Sequence, residues 1–488
     1  MKRRTSLVRR LRASALAGAA LLLAACTEKA PLTAEWVSTT EEAPWQAQAP
    51  VKATKGQVES DLKIIVDTTA TEQSVEGFGS CFNELGWLSL MLLEDSDRQA
   101  VMSELFSPGK GADFNLCRLP IGANDFARNW YSFDETPGDF AMKDFSIARD
   151  KEMLIPFIHN AQKYRPDLKL WASPWSPPVW MKHNKHYASV PLHKGRFDNG
   201  MKKGQEGHEG SDMFIRQKPY LEAYALYFSK FIQAYRNEGI RISAVMPQNE
   251  FNSAQPFPSC CWTAAGLADF IGHYLGPAMK KEGVQLMFGT MERPNEALVD
   301  TILTDPEAGK YIHTVGFQWA GKEALPGIHK RYPSLHLWQT EQECGDGRNS
   351  WEEAVQAWNL MKEYFDSGVS AYMYWNTSLL EGGTSTWGWS QNSLVVVRQE
   401  GNSAHFTYSY TPEYYVMKHL SHYVRPGARK LRLGGDFEDA LAFRNPDGSL
   451  VIAMRNSDAL VLHLSLQIGK ETFLLPLPAY SLSTVLVP

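Results

Sequence analysis

The 488-residue sequence predicts an α/β protein, a (β/α)8 TIM barrel with an attached β-sandwich side domain. Three observations point to this fold. Between about Val75 and Val397, short apolar runs alternate with amphipathic stretches at about 40 residues per unit, the length of a β/α repeat. From about Gly427 onward the sequence changes to short strands of alternating hydrophobicity. No GxGxxG motif follows an early strand, which disfavours the rival doubly wound sheet.

The barrel prediction depends on apolar runs that are separated by helical patterns. Two stretches, Pro219–Asn237 and Thr263–Glu282, have the amphipathic period of helices. The short apolar runs with the length of buried strands are Phe114–Pro120, Lys169–Ser173, Ile242–Pro247, Gln285–Gly289, Thr314–Trp319, Leu335–Thr340 and Val369–Trp375. Repetition of strand and helix over this length is what an eight-fold β/α barrel requires, and we assign residues 75–420 to it.

Residues 421–488 are predicted to form the β-sandwich. Its strands are Lys430–Leu433, Ala440–Arg444, Leu450–Arg455, Leu460–Ile468, Thr472–Leu477 and Ser483–Val487. Asn445-Pro446-Asp447-Gly448 is a strong turn signal, so the two strands that flank it should form a hairpin. The strand-like run Asp61–Asp67 lies within residues 55–74, and we expect this entering segment to join the same domain.

Residues 1–25 are typical of an export signal, because six basic residues precede the apolar run Ala15–Leu23. The run is too short to span a bilayer. It ends in Leu23-Ala24-Ala25-Cys26, which resembles the bacterial lipobox, in which the cysteine is lipidated. We therefore expect an exported lipoprotein that Cys26 anchors to a membrane, in the periplasm or at the cell surface. A plain secretory signal is the alternative.

Residues 26–54 are predicted to be a tether, because they are rich in Ala, Pro, Thr and Glu without a helical or strand period. Removal of the signal also changes the net charge. Of 49 basic residues, 43 remain without those six, and against 54 acidic residues this gives a charge of −11 instead of −5. This acidity disfavours nucleic acid as a partner and an anionic polysaccharide as a substrate.

The cysteine and histidine patterns predict no metal or cofactor. No CxxC or HExxH motif occurs, and no cysteine lies at ligand spacing from a histidine. Apart from Cys26, the cysteines are Cys81, Cys117, Cys260, Cys261 and Cys344. In an exported protein, buried free thiols and a single disulfide are both compatible with this odd number.

Two glutamates carry the chemistry that the sequence predicts. Glu250 closes the run Met246–Glu250 and Glu341 closes the run Leu337–Glu341, each at the end of an apolar strand. Catalytic groups of a barrel lie at the carboxyl ends of its strands, and a spacing of 91 residues places these two across the mouth from each other. Paired carboxyl groups are the apparatus of glycoside hydrolysis. The alternative is that each is an ordinary surface glutamate at a strand end.

Short blocks of sequence along most of the chain match one family. They are Gly77-Phe78-Gly79, Arg118-Leu119-Pro120 with Asn124-Asp125-Phe126, Ala172-Ser173-Pro174-Trp175-Ser176-Pro177, Gln248-Asn249-Glu250, Leu303–Ala308, Thr340-Glu341, Tyr374-Trp375-Asn376 and Asn392-Ser393-Leu394. In these blocks the sequence resembles glycoside hydrolase family 30, the glucosylceramidase and endo-β-1,6-glucanase group of retaining (β/α)8-barrel enzymes. Ala-Ser-Pro-Trp-Ser-Pro is the most specific of them.

The resemblance implies roles for individual residues. Glu250 matches the family's acid/base and Glu341 its nucleophile, while Asn249 matches the residue that contacts the sugar 2-hydroxyl. Arg118 matches an arginine that orients the nucleophile, with a buried structural ion pair as the alternative. The other candidate substrate-binding residues are Trp175 and Trp375 as aromatic walls, Glu84 as a ligand of outer hydroxyls, and Asp125, Gln318, Trp319 and Asn376.

The sequence departs from the glucosylceramidase branch at two places. That branch has His-Trp-Tyr on the sixth strand, and this chain has Gln318-Trp319-Ala320, so another group must support the nucleophile in place of the tyrosine. The chain also reads Thr340-Glu341-Gln342-Glu343-Cys344, which leaves Glu343 as a rival nucleophile. We favour Glu341, because it ends the apolar strand directly. Glu250, placed near that negative charge, is expected to have a raised pKa.

These observations together predict a retaining β-glycoside hydrolase that acts on β-glucan, most specifically a β-1,6-glucanase, with no cofactor. Alternatives within the class are a glucosylceramidase and an exo-acting β-glucosidase or β-xylosidase. A glucuronoxylanase is disfavoured because no basic pocket for a uronic acid is visible. The alternative from another class is a non-catalytic carbohydrate-binding surface lipoprotein, against which the pair Glu250 and Glu341 argues.

Overall fold

The computed structural model describes residues 31–56, 58–194 and 197–488, and within them eight parallel strands close into a barrel. The strands are Gly77–Cys81, Leu116–Pro120, Lys169–Ser173, Ile242–Val245, the two-part strand Gln285–Leu286 and Phe288–Met291, Thr314–Gln318, His336–Glu341 and Val369–Leu380. The eighth strand pairs with the first, and the fifth pairs with the fourth through its first part and with the sixth through its second. The predicted barrel is therefore confirmed.

Helices follow the barrel strands and pack around them. The α-helices are Glu84–Met91, Asp95–Phe106, Ala148–Glu152, Leu154–Gln162, Lys218–Asn237, Ala264–Phe270, Gly276–Glu282, Glu296–Thr304, Leu325–Arg331, Trp351–Asp366 and Pro412–Ser421. A π-helical turn, Ile271–Leu275, joins two of them, so that residues 264–282 are one continuous helix, as the sequence predicts. Short 3₁₀ turns are Val179–Met181, Gly309–Tyr311 and Trp319–Ala324.

Helix starts follow from local side-chain chemistry. Thr263 accepts a hydrogen bond at Oγ1 from the N–H of Gly266, 2.8 Å away, and so caps the helix that begins at Ala264. Ser350 caps Trp351–Asp366 in the same way, through the N–H of Glu353. Each cap satisfies an N–H that a helix start otherwise leaves without a partner.

The interior of the barrel is filled with side chains. A buried cluster of Leu116, Trp171, Ala244, Met246, Met287, Trp338, Ala371 and Met373 forms the plug. Trp171 and Trp338 meet edge to face, with ring centroids 6.1 Å apart. Because the barrel is packed and not a pore, a ligand can reach the strands only at their exposed ends.

Among the described residues, the second sheet contains eleven strands. They lie in the order Gln46–Ala47, Thr33–Thr39, Ser481–Val487, Leu450–Asn456, Ala440–Arg444, Arg429–Gly435, Leu62–Ser74, Leu462–Ile468, Glu471–Leu477 and Thr54–Lys55, with Val51–Lys52 paired to Thr33–Thr39. Trp36 near one end of this order and Phe473 near the other belong to the same buried apolar cluster, so the sheet folds over itself as a sandwich. The predicted sandwich, its hairpin at Asn445–Gly448 and the recruitment of Asp61–Asp67 are confirmed.

Smaller strand pairs extend the loops of the barrel. Ser393–Gln399 runs beside the end of the eighth strand and pairs antiparallel with Phe406–Tyr410. His193–Lys194 pairs with Phe197–Asp198 in the long segment after the third strand.

The prediction that residues 26–54 are a tether is wrong for the residues from 33 onward. Thr33–Thr39 pairs antiparallel with Ser481–Val487, the last strand of the chain. Ala34 and Trp36 are buried in the sandwich core, and the Thr39 hydroxyl lies 2.8 Å from Nε2 of the buried His419. The alternation Ala34, Trp36, Ser38 is the strand signal, and the surrounding Pro, Thr and Glu residues obscured it.

The export signal and Cys26 lie outside the described residues, and the lipid anchor stays a prediction. In the part of the chain that the structure describes, no helix is both long and apolar enough to cross a bilayer. The thiols of Cys81, Cys117, Cys260, Cys261 and Cys344 are all free and buried.

The strand Thr33–Thr39 provides a direct test of the corrected boundary. A chain that starts at Leu32 keeps every strand pair, whereas a chain that starts at Lys55 loses Thr33–Thr39 and exposes the pocket of Trp36. Loss of a buried Trp costs about 3–5 kcal/mol, so the shorter chain is expected to unfold at a temperature lower by about 5 °C or more. Thermal unfolding of the two chains measures this difference. Equal midpoints would show that residues 33–54 do not stabilise the fold, as expected for a tether.

Candidate active site

Glu250 and Glu341 face one cavity of about 400 Å³ at the carboxyl ends of the barrel strands. Glu341 is the last residue of the seventh strand, and Glu250 follows the fourth strand by five residues. Both residues are largely buried: Glu250 is 4% exposed and Glu341 is 6% exposed. The residues that line the cavity are Asp125, Trp175, Asn249, Glu250, Gln255, Pro256, Phe257, Glu292, Trp319, Glu341, Gly345, Trp389, Ser390 and Gln391.

Arg118, on the second strand, lies behind the lining of this cavity and contacts two of its residues. It is completely buried, and its Nη1 donates to Oε2 of Glu341 over 2.7 Å. Its Nη2 donates to Oδ1 of Asn249 over 2.6 Å and to Oγ of Ser173 over 3.0 Å. The Trp175 ring lies over the guanidinium, with its centroid 4.3 Å from Cζ. One guanidinium thus holds groups from the third, fourth and seventh strands in fixed positions.

Gln318, at the end of the sixth strand, bridges the two glutamates. Its Nε2 lies 3.1 Å from Oε1 of Glu250 and 3.2 Å from Oε2 of Glu341. The two carboxylate oxygens can therefore be no more than 6.3 Å apart, the two lengths laid end to end. The Thr340 hydroxyl donates to Oε1 of Gln318 over 2.9 Å, which fixes the orientation of the amide.

Trp319 supplies the support for Glu341 that the sequence leaves open at Ala320. The indole N–H of Trp319 donates to Oε1 of Glu341 over 3.0 Å. Trp319 has a φ of 49°, and Glu250 has a φ of 48°, a left-handed conformation that costs a non-glycine residue about 1–3 kcal/mol. These two strained residues both line the cavity, and their backbone directs the side chains into it.

Asn249 is oriented by three donors. Its Oδ1 accepts hydrogen bonds from Arg118, from Nε2 of Gln318 over 3.2 Å and from the Thr290 hydroxyl over 3.1 Å. Oδ1 is thus saturated, and the amide presents its NH₂ group to the cavity that it lines. The Thr290 hydroxyl also accepts the N–H of Glu250 over 2.9 Å, which ties the two neighbouring residues to one anchor.

The environments of the two glutamates differ. Burial, together with the negative charge of Glu341, raises the pKa of Glu250 well above its ordinary value. Burial also raises the pKa of Glu341, but the guanidinium of Arg118 and the Trp319 indole act in the opposite direction. Oε2 of Glu250 is buried and accepts no hydrogen bond from the described residues. These directions favour the protonated form at Glu250 over the protonated form at Glu341.

Two further carboxyl groups face the same cavity. Burial and the charge of Glu341 raise the pKa of Asp125 to about 8. Burial also raises the pKa of Glu292, against the opposing effect of the neighbouring Arg293. No lysine or arginine is among the described residues that line the cavity, so it is an acidic site.

Of the predicted residues, Arg118 and Gln318 contact the glutamates from outside the cavity lining, whereas Glu84, Trp375 and Asn376 contact neither glutamate and are also outside the lining. Both oxygens of Glu84 are occupied by Arg128 and Arg149, whose Nε atoms lie 3.2 and 2.8 Å from Oε1. This carboxylate is held in a structural ion-pair cluster at the start of a helix.

Trp375 and Asn376 lie directly behind the lining. Trp375 is completely buried and stacks on Trp175, with ring centroids 5.4 Å apart. Asn376 accepts from Nδ2 of Asn83 over 2.9 Å and donates to Gln391, so it holds a wall residue in place. Asp125, Trp175, Asn249 and Trp319, by contrast, are all part of the lining.

Glu343, the rival to Glu341, points elsewhere. Its Oε1 lies 2.7 Å from Nζ of Lys322, and it is not part of the cavity lining. Of the two glutamates Glu341 and Glu343, only Glu341 therefore lines the cavity beside Glu250.

Sequence reasoning missed Glu292 and several wall residues. Glu292 directly follows the fifth strand, which is the same signal that identified Glu250 and Glu341, but the predicted strand ended at Gly289 and left it in a loop. Phe257 and Trp389 lie on different loops and meet over the cavity with ring centroids 5.5 Å apart. No local pattern marks that meeting.

Most of the sequence matches known protein families. The profile of the glycosyl hydrolase family 30 TIM-barrel domain matches residues 75–424. The profile of the family 30 β-sandwich domain matches residues 434–485.

Individual relatives lie in two groups. The chain is 28% identical to the lysosomal acid glucosylceramidase of Mus musculus over 445 residues, 85% of this chain and 81% of that one. It is 26% identical to an endo-1,6-β-D-glucanase of Aspergillus fumigatus over 484 residues, 92% and 93% of the two chains. A solved endo-β1,6-glucanase shares the fold, with a TM-score of 0.76, 23% identity and coverage of 93% and 99%.

The close approach of the two glutamates predicts a change in acidity when one is neutralised. In Glu341→Gln, the negative charge beside Glu250 is lost, so the pKa of Glu250 should fall toward the ordinary value. Carbon-13 NMR titration of labelled glutamate measures it. Glu343→Gln is the matched control and should leave the pKa of Glu250 unchanged. An unaltered Glu250 titration in both variants would show that the two carboxyl groups are not coupled.

Proposed function

The chain belongs to glycoside hydrolase family 30 and is a glycoside hydrolase, and from this premise we propose that it cleaves β-1,6-linked glucan by a retaining double displacement. In the proposed reaction Glu341 attacks the anomeric carbon and Glu250 protonates the departing oxygen. Water then hydrolyses the glycosyl-enzyme, with Glu250 acting as the base.

The observation that carries the retaining mechanism is the short span across Gln318. Retaining enzymes hold their carboxyl groups about 5–5.5 Å apart, whereas inverting enzymes need about 6.5–9.5 Å to admit a water. The limit of 6.3 Å between the Glu250 and Glu341 oxygens lies below the inverting range. The difference in environment supports the same roles, because burial and the charge of Glu341 raise the pKa of Glu250, whereas Glu341 is paired with a guanidinium.

The walls of the cavity support a sugar as the substrate. Trp175 offers an aromatic face, and the NH₂ group of Asn249 lies beside Glu341, where it can donate to a 2-hydroxyl. Asp125 lies in the same lining and can bind further hydroxyl groups. A cavity of about 400 Å³ fits one sugar ring with part of its neighbour.

Polar groups in the lining support a β-glucan as the substrate over a glucosylceramide. A glucan presents hydroxyl groups that require hydrogen-bond partners, whereas the aglycone of a ceramide is largely apolar. The lining combines Gln255, Glu292, Ser390 and Gln391, which can bind hydroxyl groups, with the aromatic rings of Phe257 and Trp389. The relative named as a β-1,6-glucanase also aligns with the chain over nearly its whole length.

The substrate test uses the β-1,6-glucan pustulan. We expect the wild-type protein to release oligosaccharides or glucose from pustulan, and Glu250→Gln to lower the rate by about 10²–10⁴-fold. Glucosylceramide in detergent and an aryl β-xyloside are assayed in parallel. Cleavage of glucosylceramide with no action on pustulan would contradict the proposal and make glucosylceramide the substrate. Reducing-end analysis of the pustulan products separates endo from exo action.

The roles of the two glutamates are tested by azide rescue on 2,4-dinitrophenyl β-glucoside. Glu341→Ala removes the nucleophile, so azide attacks once and should give the α-glycosyl azide. Glu250→Ala still forms the glycosyl-enzyme, so azide gives the β-glycosyl azide after two inversions. Glu343→Ala should retain wild-type activity. If Glu341→Ala gave the β-azide and Glu250→Ala the α-azide, Glu250 would be the nucleophile and Glu341 the acid/base. An α-azide from Glu343→Ala would make Glu343 the nucleophile.

A further inference from the structure

Among the described residues that line the cavity, Glu292 is the one carboxylate without a role in the proposed reaction. It follows the fifth barrel strand, it is 7% exposed, and it lines the same cavity as Glu250 and Glu341. A carboxylate that is nearly buried at a substrate site carries a desolvation cost, so its position calls for a ligand-related explanation or a structural one.

Glu292 is held rigidly relative to Glu250. Oδ1 of Asn252, two residues beyond Glu250, accepts the N–H of Glu292 over 3.1 Å. Nδ2 of Asn252 donates to the carbonyl oxygen of Arg293 over 3.2 Å. The loop that carries Glu250 and the turn that carries Glu292 are therefore connected by one amide side chain.

The surroundings of Glu292 are negative on balance. Its carboxylate forms an ion pair with Arg293, which favours the charged form. Arg293 also pairs with Glu209, whose Oε1 lies 3.0 Å from Nη2. Two carboxylates share one guanidinium, so the group of three carries a net charge of −1.

The position of Glu292 in the barrel places it on the side of the departing sugar. Asp125 and Trp175 follow the second and third strands, Glu250 the fourth and Glu292 the fifth. The acid protonates the oxygen of the leaving group, so the leaving group extends past Glu250 and away from Asp125 and Trp175. The next carboxylate in that direction is Glu292.

We propose that Glu292 is a specificity-determining residue of the leaving-group subsite, where its carboxylate accepts hydroxyl hydrogen bonds from a neutral sugar and repels an anionic one. The inference rests on the proposed glycosidase function and specifies, in addition, that the accepted leaving group is uncharged. It excludes uronic acids at this subsite, because no basic side chain among the described lining residues could pair with their carboxylate.

The test compares two coumarin β-glucosides of similar leaving ability, the neutral 4-methylumbelliferyl and the anionic 3-carboxyumbelliferyl glucoside. For the wild-type protein, kcat/KM is expected to favour the neutral substrate. Glu292→Gln should reduce that preference on the order of tenfold, the Coulomb effect of one unit charge removed at several ångströms in a partly screened site. Glu292→Asp keeps the charge and should keep the preference.

Glu343→Gln is the matched control, because it removes a carboxylate that lies near the site but outside the cavity lining, and it should leave the ratio unchanged. If Glu292→Gln lowers both rates equally, the residue has only a structural role and the inference is overturned. If the wild-type protein releases neither coumarin, its action on pustulan separates the two failures. Cleavage of pustulan without release of either coumarin overturns the inference and leaves the proposed function intact, whereas inactivity on pustulan as well overturns both.

Discussion

The buried guanidinium of Arg118 is the group around which the site is assembled. It reaches Glu341 on the seventh strand, Ser173 on the third and Asn249 after the fourth, and thus spans the barrel mouth. A buried charge without its partner costs about 3–5 kcal/mol, so the side chains that Arg118 contacts are held in fixed relative positions. The two alternatives for Arg118, a structural ion pair and an orienting residue for Glu341, are in this geometry the same arrangement.

The placement of Arg118 makes the two glutamates unequal. Its positive charge favours the ionised form of Glu341, and the resulting negative charge, together with burial, favours the protonated form of Glu250. Gln318 and Trp319 add donors to Glu341 without adding charge. Since the barrel interior below is packed with apolar side chains, neither water nor an ion from that side can weaken this difference. Two side chains of one residue type are thereby given different acidities by their environment alone.

The sequence predicted the fold best where hydrophobic pattern and chain order act together. Apolar runs alternating with amphipathic stretches required a barrel, and the predicted strand Lys169–Ser173 has the observed bounds. Prediction from the sequence failed where the local pattern was weak or where a strand was predicted to end too soon. Thr33–Thr39 has a strand alternation that a tether-like composition obscured, and Glu292 lies beyond a strand whose predicted end came too soon. Glu84 shows the reverse case, since its partners Arg128 and Arg149 are remote in sequence and left no local sign of an ion pair.

The sequence by itself determined the barrel with its sandwich, the family resemblance and the pairing of Glu250 with Glu341, because strand ends of a parallel barrel meet at one face whatever the details of packing. Tertiary structure alone decided the rest: that Trp319 takes over the support of Glu341, that Glu343 turns to Lys322, and that the fourth carboxylate of the cavity is Glu292. Hydrogen-bond partners, burial and the distance between two carboxyl groups depend on loops brought together from distant parts of the chain. Such contacts leave no periodicity in the sequence, because the residues that form them lie far apart in the chain.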